Sequence, residues 1–161
     1  MYNFKKKIYL KIIFLICFFA IISAYYIEYI LGHQPCSLCI IERMPYILGL
    51  VILLLNYKFE DKENFFIMLL VLTFIFSLII SIYHFGIEQG FFQESIICSV
   101  ENGSKILTKE NLLLELQKKQ VSCKDVTFKI FGFSLTTVNI IISLILLFIT
   151  TKIFMSYEKN K

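Results

Sequence analysis

Four long apolar runs divide the chain, at about Ile8 to Ile30, Ser37 to Tyr57, Phe65 to Phe85 and Phe131 to Ile153. Each approaches the roughly 20 residues that a helix needs to cross about 30 Å of hydrocarbon. The pattern predicts an all-α membrane protein, a four-transmembrane-helix bundle with a short first loop at about 31–37 and a long second loop at about 86–130. The second run is the informative one. A helix beginning after Pro45 would leave too few residues before Asn56 to span, so it must start near "CSLC" and carry Pro45 inside, with a kink. Glu42 and Arg43 then lie about one turn inside the helix, at membrane-surface depth.

Composition agrees with this pattern. The 161 residues are 58% hydrophobic and only 17% charged, with a mean hydropathy of +0.76. A water-soluble domain of this size would expose much of that surface, so a lipid bilayer is the expected partner and residues 1–161 form a single membrane domain. The net charge of +4 is small and its lysines lie mainly outside the apolar runs, which fits membrane topology and not nucleic-acid binding. Trp is absent, leaving Tyr and Phe as interface anchors. The first run follows Lys5, Lys6 and Lys7, yet it is long and no A-x-A site follows, so it is expected to be retained rather than cleaved. Lysines flank the termini and the segment between the second and third runs, whereas the first loop has no Lys or Arg. Both termini are therefore expected in the cytoplasm and both loops on the opposite face.

Of the five cysteines, Cys17 lies among Ile and Phe and reads as a small buried apolar residue. Cys36, Cys39, Cys98 and Cys123 all fall on the predicted outer face, where oxidising conditions make an even set of four suggest two disulfides. A bridge in the long loop would restrain it as a structural staple does. A bridge across the two residues between Cys36 and Cys39 restrains almost nothing and is typical of a redox-active pair. A helix N-terminus favours the thiolate, and Arg43, four residues after Cys39, shares its face. A zinc ribbon would need its second cysteine pair two to four residues apart, and Cys98 and Cys123 are 25 apart. Attached haem would need His directly after Cys39, where Ile40 stands; a b-type haem on His33 and His84 is the weaker variant. No metal site is expected.

The residues "QPCSLCIIER" (Gln34 to Arg43), "YHFGIE" (Tyr83 to Glu88) and "CKDVTFKIFGFSLTTVN" (Cys123 to Asn139), set in four apolar runs, resemble the DsbB family over nearly the whole chain. These are bacterial inner-membrane disulfide oxidoreductases that re-oxidise a periplasmic DsbA-like thiol oxidase and pass electrons to a membrane quinone. The resemblance implies that Cys36 and Cys39 are the membrane-proximal redox pair, with Cys39 engaging the quinone (ubiquinone or menaquinone). It implies that Cys98 and Cys123 are the loop pair, with Cys98 forming the mixed disulfide with the partner. Arg43 and His84 match residues beside the quinone. Glu42 is expected to pair with Arg43 or orient it, while Glu28 and Glu88 read as interfacial or turn residues. The chain departs from the family where many members carry Trp near the start of the fourth helix, having Phe128 and then Val138.

"SKILTKENLLLELQKK" (Ser104 to Lys119) spaces Ile106, Leu112, Leu113 and Leu116 as a short amphipathic helix would, one that lies on the membrane and tethers the loop near the first pair, or a solvated loop helix. The leading function is that of a quinone-dependent protein thiol oxidase supporting disulfide formation in folding proteins, for general or dedicated clients. The alternatives are a structural membrane protein with inert disulfides and a metal- or haem-carrying membrane protein.

Overall fold

Among the described residues, four helical stretches are long and apolar enough to cross a membrane: Lys6–Tyr29, Ser37–Lys58, Glu63–Glu88 and Leu135–Ser156. The computed structural model describes residues 2–93, 123, 129–130 and 133–158. Its helices are α1 (Tyr2–Tyr29), α2 (Ser37–Ile41), α3 (Met44–Lys58), α4 (Glu63–Glu88) and α5 (Leu135–Glu158), with a 3-10 turn at Glu60–Lys62. A two-residue antiparallel pair, β1 (Lys129–Ile130) and β2 (Phe133–Ser134), precedes α5. The expected four-helix membrane architecture is present. The amphipathic segment at 104–119, Cys98 and Phe128 lie outside the described residues.

The second span is broken where its sequence demands it. Pro45 sits in the first turn of α3 and has no N–H for the carbonyl of Ile41. The chain tightens instead: the Arg43 N–H reaches back to Ile40 O at 3.1 Å, an i−3 bond, and α2 ends at Ile41. The kink expected at Pro45 is thus a break at Glu42–Arg43, just ahead of the proline. The fourth span begins at Leu135, later than its apolar run, because Ser134 caps it: Ser134 Oγ accepts the Thr137 N–H at 3.3 Å.

Helix α4 packs most closely along α5, and α3 lies against both α1 and α4. The core joins Ile13 and Cys17 of α1, Tyr46, Ile52 and Leu53 of α3, Ile67, Leu70 and Phe74 of α4, and Leu146 of α5. Cys17 is fully buried there, as its surroundings in the sequence suggest. Gly49 lets three helices close up, since a methyl group on it would stand 3.3 Å from the Phe74 ring and 3.7 Å from Cys17 Sγ. Phe19, Leu54, Phe76 and Phe148 point outward as surface for lipid.

Lipid tails are as apolar as leucine, so helices in a bilayer are joined by close packing and by interhelical hydrogen bonds. Here Ser77 and Ser143 hydroxyls meet at 3.0 Å between α4 and α5. Tyr46 Oη of α3 donates to Asn139 Oδ1 and lies 3.3 Å from Ser143 Oγ, while Asn139 Nδ2 donates to Ser81 Oγ at 2.9 Å. Toward the other end of the bundle, Lys6 pairs with Glu63 at 2.6 Å, tying the starts of α1 and α4.

Replacing Ser143 by Ala should cost about 0.6 kcal/mol and no more than about 1.7 kcal/mol, the mean and the maximum for such bonds in membranes. Ser143→Leu should cost about 1–3 kcal/mol through overpacking. Both are read from loss of helical circular dichroism on titrating the purified protein with SDS; equal stability of all three proteins would show that the seam contributes nothing.

Candidate functional site

The short helix α2 positions the first cysteine pair. Cys36 is its N-cap, in extended conformation (φ −72°, ψ 167°), and Cys36 Sγ accepts the Cys39 N–H at 3.3 Å. Sulfur here takes the place that a serine or aspartate oxygen takes at most helix starts. Both cysteines are free, and their sulfurs lie 2.7 Å apart, in hydrogen-bonding contact. Cys36 is buried and Cys39 half-buried.

His84 comes to this pair from the last turn but one of α4. That end is fixed by a Schellman motif, with the Phe91 N–H on Gly86 O at 2.8 Å and the Gly90 N–H on Ile87 O at 3.0 Å. Gly90 supplies the left-handed conformation that the motif requires (φ +78°). The Phe92 ring folds back over Gly86, where any side chain would overlap it. So fixed, His84 presents Nε2 to Cys36 Sγ at 3.5 Å and donates from Nδ1 to Glu42 Oε1 at 3.0 Å. Asn139 of α5 hydrogen-bonds the same carboxylate.

The Cys36 thiol is held well below the usual thiol range, at about 5. The hydrogen bond from Cys39 is the largest cause and His84 adds to it, both outweighing burial, which acts the other way. Cys36 is therefore poised as the thiolate of the pair.

Arg43 faces the other way. Its Nη1 donates to Glu28 Oε2 of α1, and its guanidinium lies over the Tyr25 ring, 5.2 Å from the centroid. The expected pairing of Glu42 with Arg43 is not what forms: the break between α2 and α3 sends Glu42 to α4 and Arg43 to α1. Glu28, which the sequence left without a role, is the residue that holds Arg43. A lone acid in an apolar span was the signal for it. Asn139, Tyr25 and Tyr46 were also missed.

Cys123 is disulfide-bonded and buried, in a small apolar cluster with Cys36, Leu38 and Ile87. One cavity of about 560 Å³ joins these groups. Glu28, Cys36, Cys39, Glu42, Arg43, His84, Cys123 and Asn139 line it, and Ile12, Leu15, Ile16 and Phe19 of α1 continue it along an apolar wall. Of the candidate catalytic and quinone-binding residues singled out from the sequence, Cys98 is not placed, being outside the described residues.

A four-helix membrane domain that opens a CxxC pair, a disulfide-bonded third cysteine and a buried histidine–carboxylate pair onto one cavity is a membrane thiol-redox protein in its class. The family model described as "Disulfide bond formation protein DsbB" matches residues 6–153, and the chain belongs to that family. It is similar to "Uncharacterized protein RP370" of Rickettsia prowazekii (strain Madrid E), 31% identical over 169 residues that cover 99% of this chain and 96% of that protein. No solved structure matches. Membership makes this protein a membrane disulfide oxidoreductase.

In the reduced protein, the rate at which iodoacetamide alkylates Cys36 should stay high as pH falls and reach half its maximum near pH 5, in line with a thiol held at about 5. His84→Ala should move that midpoint upward. Peptide mass spectrometry across a pH series reads both, and a midpoint near the ordinary thiol value of about 8.5 would refute the assignment.

Proposed function

We propose that the protein re-oxidises a DsbA-like dithiol oxidase at the outer face of the bacterial inner membrane and passes the electrons to a membrane quinone. The observation that carries this reading is the convergence of both cysteine pairs' described members, Arg43 and the His84–Glu42 pair on a single cavity. The lysines support this topology: Lys6, Lys58, Lys62 and Lys152 belong to the end away from the site, as the positive-inside bias expects of a cytoplasmic end that carries both termini.

The lining fits a quinone, with charged and amide groups at one end and an apolar wall along α1 for a tail. A quinone bound there would supply the acceptor for the two electrons and two protons that Cys36 and Cys39 give up on closing to a disulfide. Arg43 and His84 would hold its head, Arg43 with an orientation set by Glu28 and Tyr25. Asn139 and Glu42 keep His84 oriented.

In the partner-driven half of the cycle, the partner's thiolate attacks Cys98 of a Cys98–Cys123 bridge and expels Cys123 as a thiolate. Cys123, beside Cys36 in one cluster, attacks Cys36 of the oxidised first pair and expels Cys39. The partner's second thiol then attacks the mixed disulfide, and the Cys98 thiolate it releases closes back onto Cys123, expelling Cys36. Cys36 is a good leaving group because Cys39 and His84 steady its thiolate. Two thiols have been oxidised in the partner and two formed at Cys36 and Cys39.

Anaerobic mixing of quinone-loaded protein with a reduced thioredoxin-like dithiol should reduce the quinone, followed by its absorbance. Cys39→Ser should abolish the reaction, and Cys98→Ser should block only the partner-driven route. Arg43→Ala should lower kcat/KM for quinone about 100-fold, the scale for losing one charge-stabilising donor. Full turnover of Cys39→Ser would sink this reading.

A further inference from the structure

We propose that the reduced Cys36–Cys39 pair and His84 form a binding site for a thiophilic divalent metal ion of the zinc class, and that the bound ion locks the pair in its reduced state. Cys36 Sγ, Cys39 Sγ and a ring nitrogen of His84 lie within 4.8 Å of one another. Tetrahedral zinc with bonds of about 2.3 Å to sulfur and about 2.05 Å to nitrogen separates a sulfur from a nitrogen by about 3.5 Å and two sulfurs by about 3.7 Å. The observed Cys36 Sγ to His84 Nε2 distance of 3.5 Å already meets the first requirement. The sulfurs, at 2.7 Å, must part by about an ångström. Cys39 has room for this by side-chain rotation, because it is half-buried and borders the cavity.

The surroundings match what a metal-bound histidine requires. A metal-ligating imidazole almost always donates its other N–H to a carboxylate or carbonyl, which fixes the tautomer and the ring plane. His84 does this to Glu42 at 3.0 Å, leaving Nε2 turned toward the thiols. Two thiolates and a dication sum to zero charge, which suits a buried site better than two bare thiolates do. The fourth position opens to the cavity and is left for water.

Binding is a proton exchange without electron transfer. The ion displaces the remaining thiol proton of the pair, and the proton on Nε2 where one is present, and these go to solvent. Each sulfur then gives a lone pair to the metal, which lowers its nucleophilicity and slows its attack on an oxidant. Closing the pair to a disulfide removes both thiolates and with them the site.

The test uses the full chain in detergent, reduced and desalted under argon, and titrated with Zn(II) against a chromophoric chelator and separately with Co(II). One equivalent per chain is expected, with the intense visible bands and thiolate charge-transfer absorption of tetrahedral cobalt. Binding should vanish when the pair is oxidised beforehand. It should weaken at least ten-fold in His84→Gln and about 10- to 100-fold in Glu42→Gln, with Cys17→Ala unchanged. Zn(II) should also slow oxidation of the pair by diamide at least ten-fold. Equal binding by oxidised protein, equal binding by His84→Gln, or octahedral cobalt spectra would each overturn the proposal. None of these readouts needs a quinone or a protein partner, so loss of quinone turnover and loss of metal binding are separately visible.

Discussion

Pro45 has no N–H to give to the carbonyl of Ile41, and the second span is split there into one turn that carries the cysteines and a longer helix that anchors them. Had the helix run straight, Glu42 and Arg43 would lie about 100° apart on one continuous surface. The break lets these neighbours serve opposite walls of the cavity, Glu42 reaching His84 on α4 and Arg43 reaching Glu28 on α1. A carboxylate and a guanidinium adjacent in sequence would otherwise neutralise each other. Kept apart, each orients a different group: Glu42 the imidazole that meets the thiols, and Glu28 the arginine that faces the cavity. The Cys36–Cys39 pair is held at the cap of a helix too short to stand alone, supported by its contacts with α3 and α4.

The same constraint runs inward through the bundle. A polar group in hydrocarbon without a partner costs several kcal/mol, roughly. The hydrogen bonds accordingly form a continuous chain, from Cys36 through His84 and Glu42 to Asn139, then to Ser81 and Tyr46, and on to Ser143 and Ser77. The groups that set the chemistry are thus also the groups that set the packing of α3, α4 and α5. A substitution at Asn139 would be felt at both levels, whereas one at Ser77 acts mainly on packing.

Much of this was legible in the sequence because its strongest signals are long-wavelength ones. Four apolar runs gave four spans, and the CxxC at the start of one, with Arg43 in the same run and His84 in the next, singled out residues that the fold does bring to one cavity. What escaped was pairing. Sequence spacing favours contacts along one helix, so Arg43 suggested itself as the partner of Glu42 and Cys39, while its actual partner stands 15 residues earlier on another helix. Asn139 and Tyr46 drew no role from the sequence, since their contacts lie across a helix interface that periodicity does not fix. The grouping of two cysteines with a distant histidine is invisible to spacing rules written for paired CxxC motifs.

The wall that α1 contributes has its own consequence. Ile12, Leu15 and Phe19 both border the cavity and present much of their surface outward, and α1 is the least buried of the spans. The cavity therefore has a side window facing the acyl chains. A hydrophobic molecule entering through it would come by diffusion in the plane of the bilayer, so its occupancy would follow its mole fraction among the lipids. Side chains on the outer face of α1 would then be the doorway, and their bulk would set the rate of exchange with that two-dimensional pool.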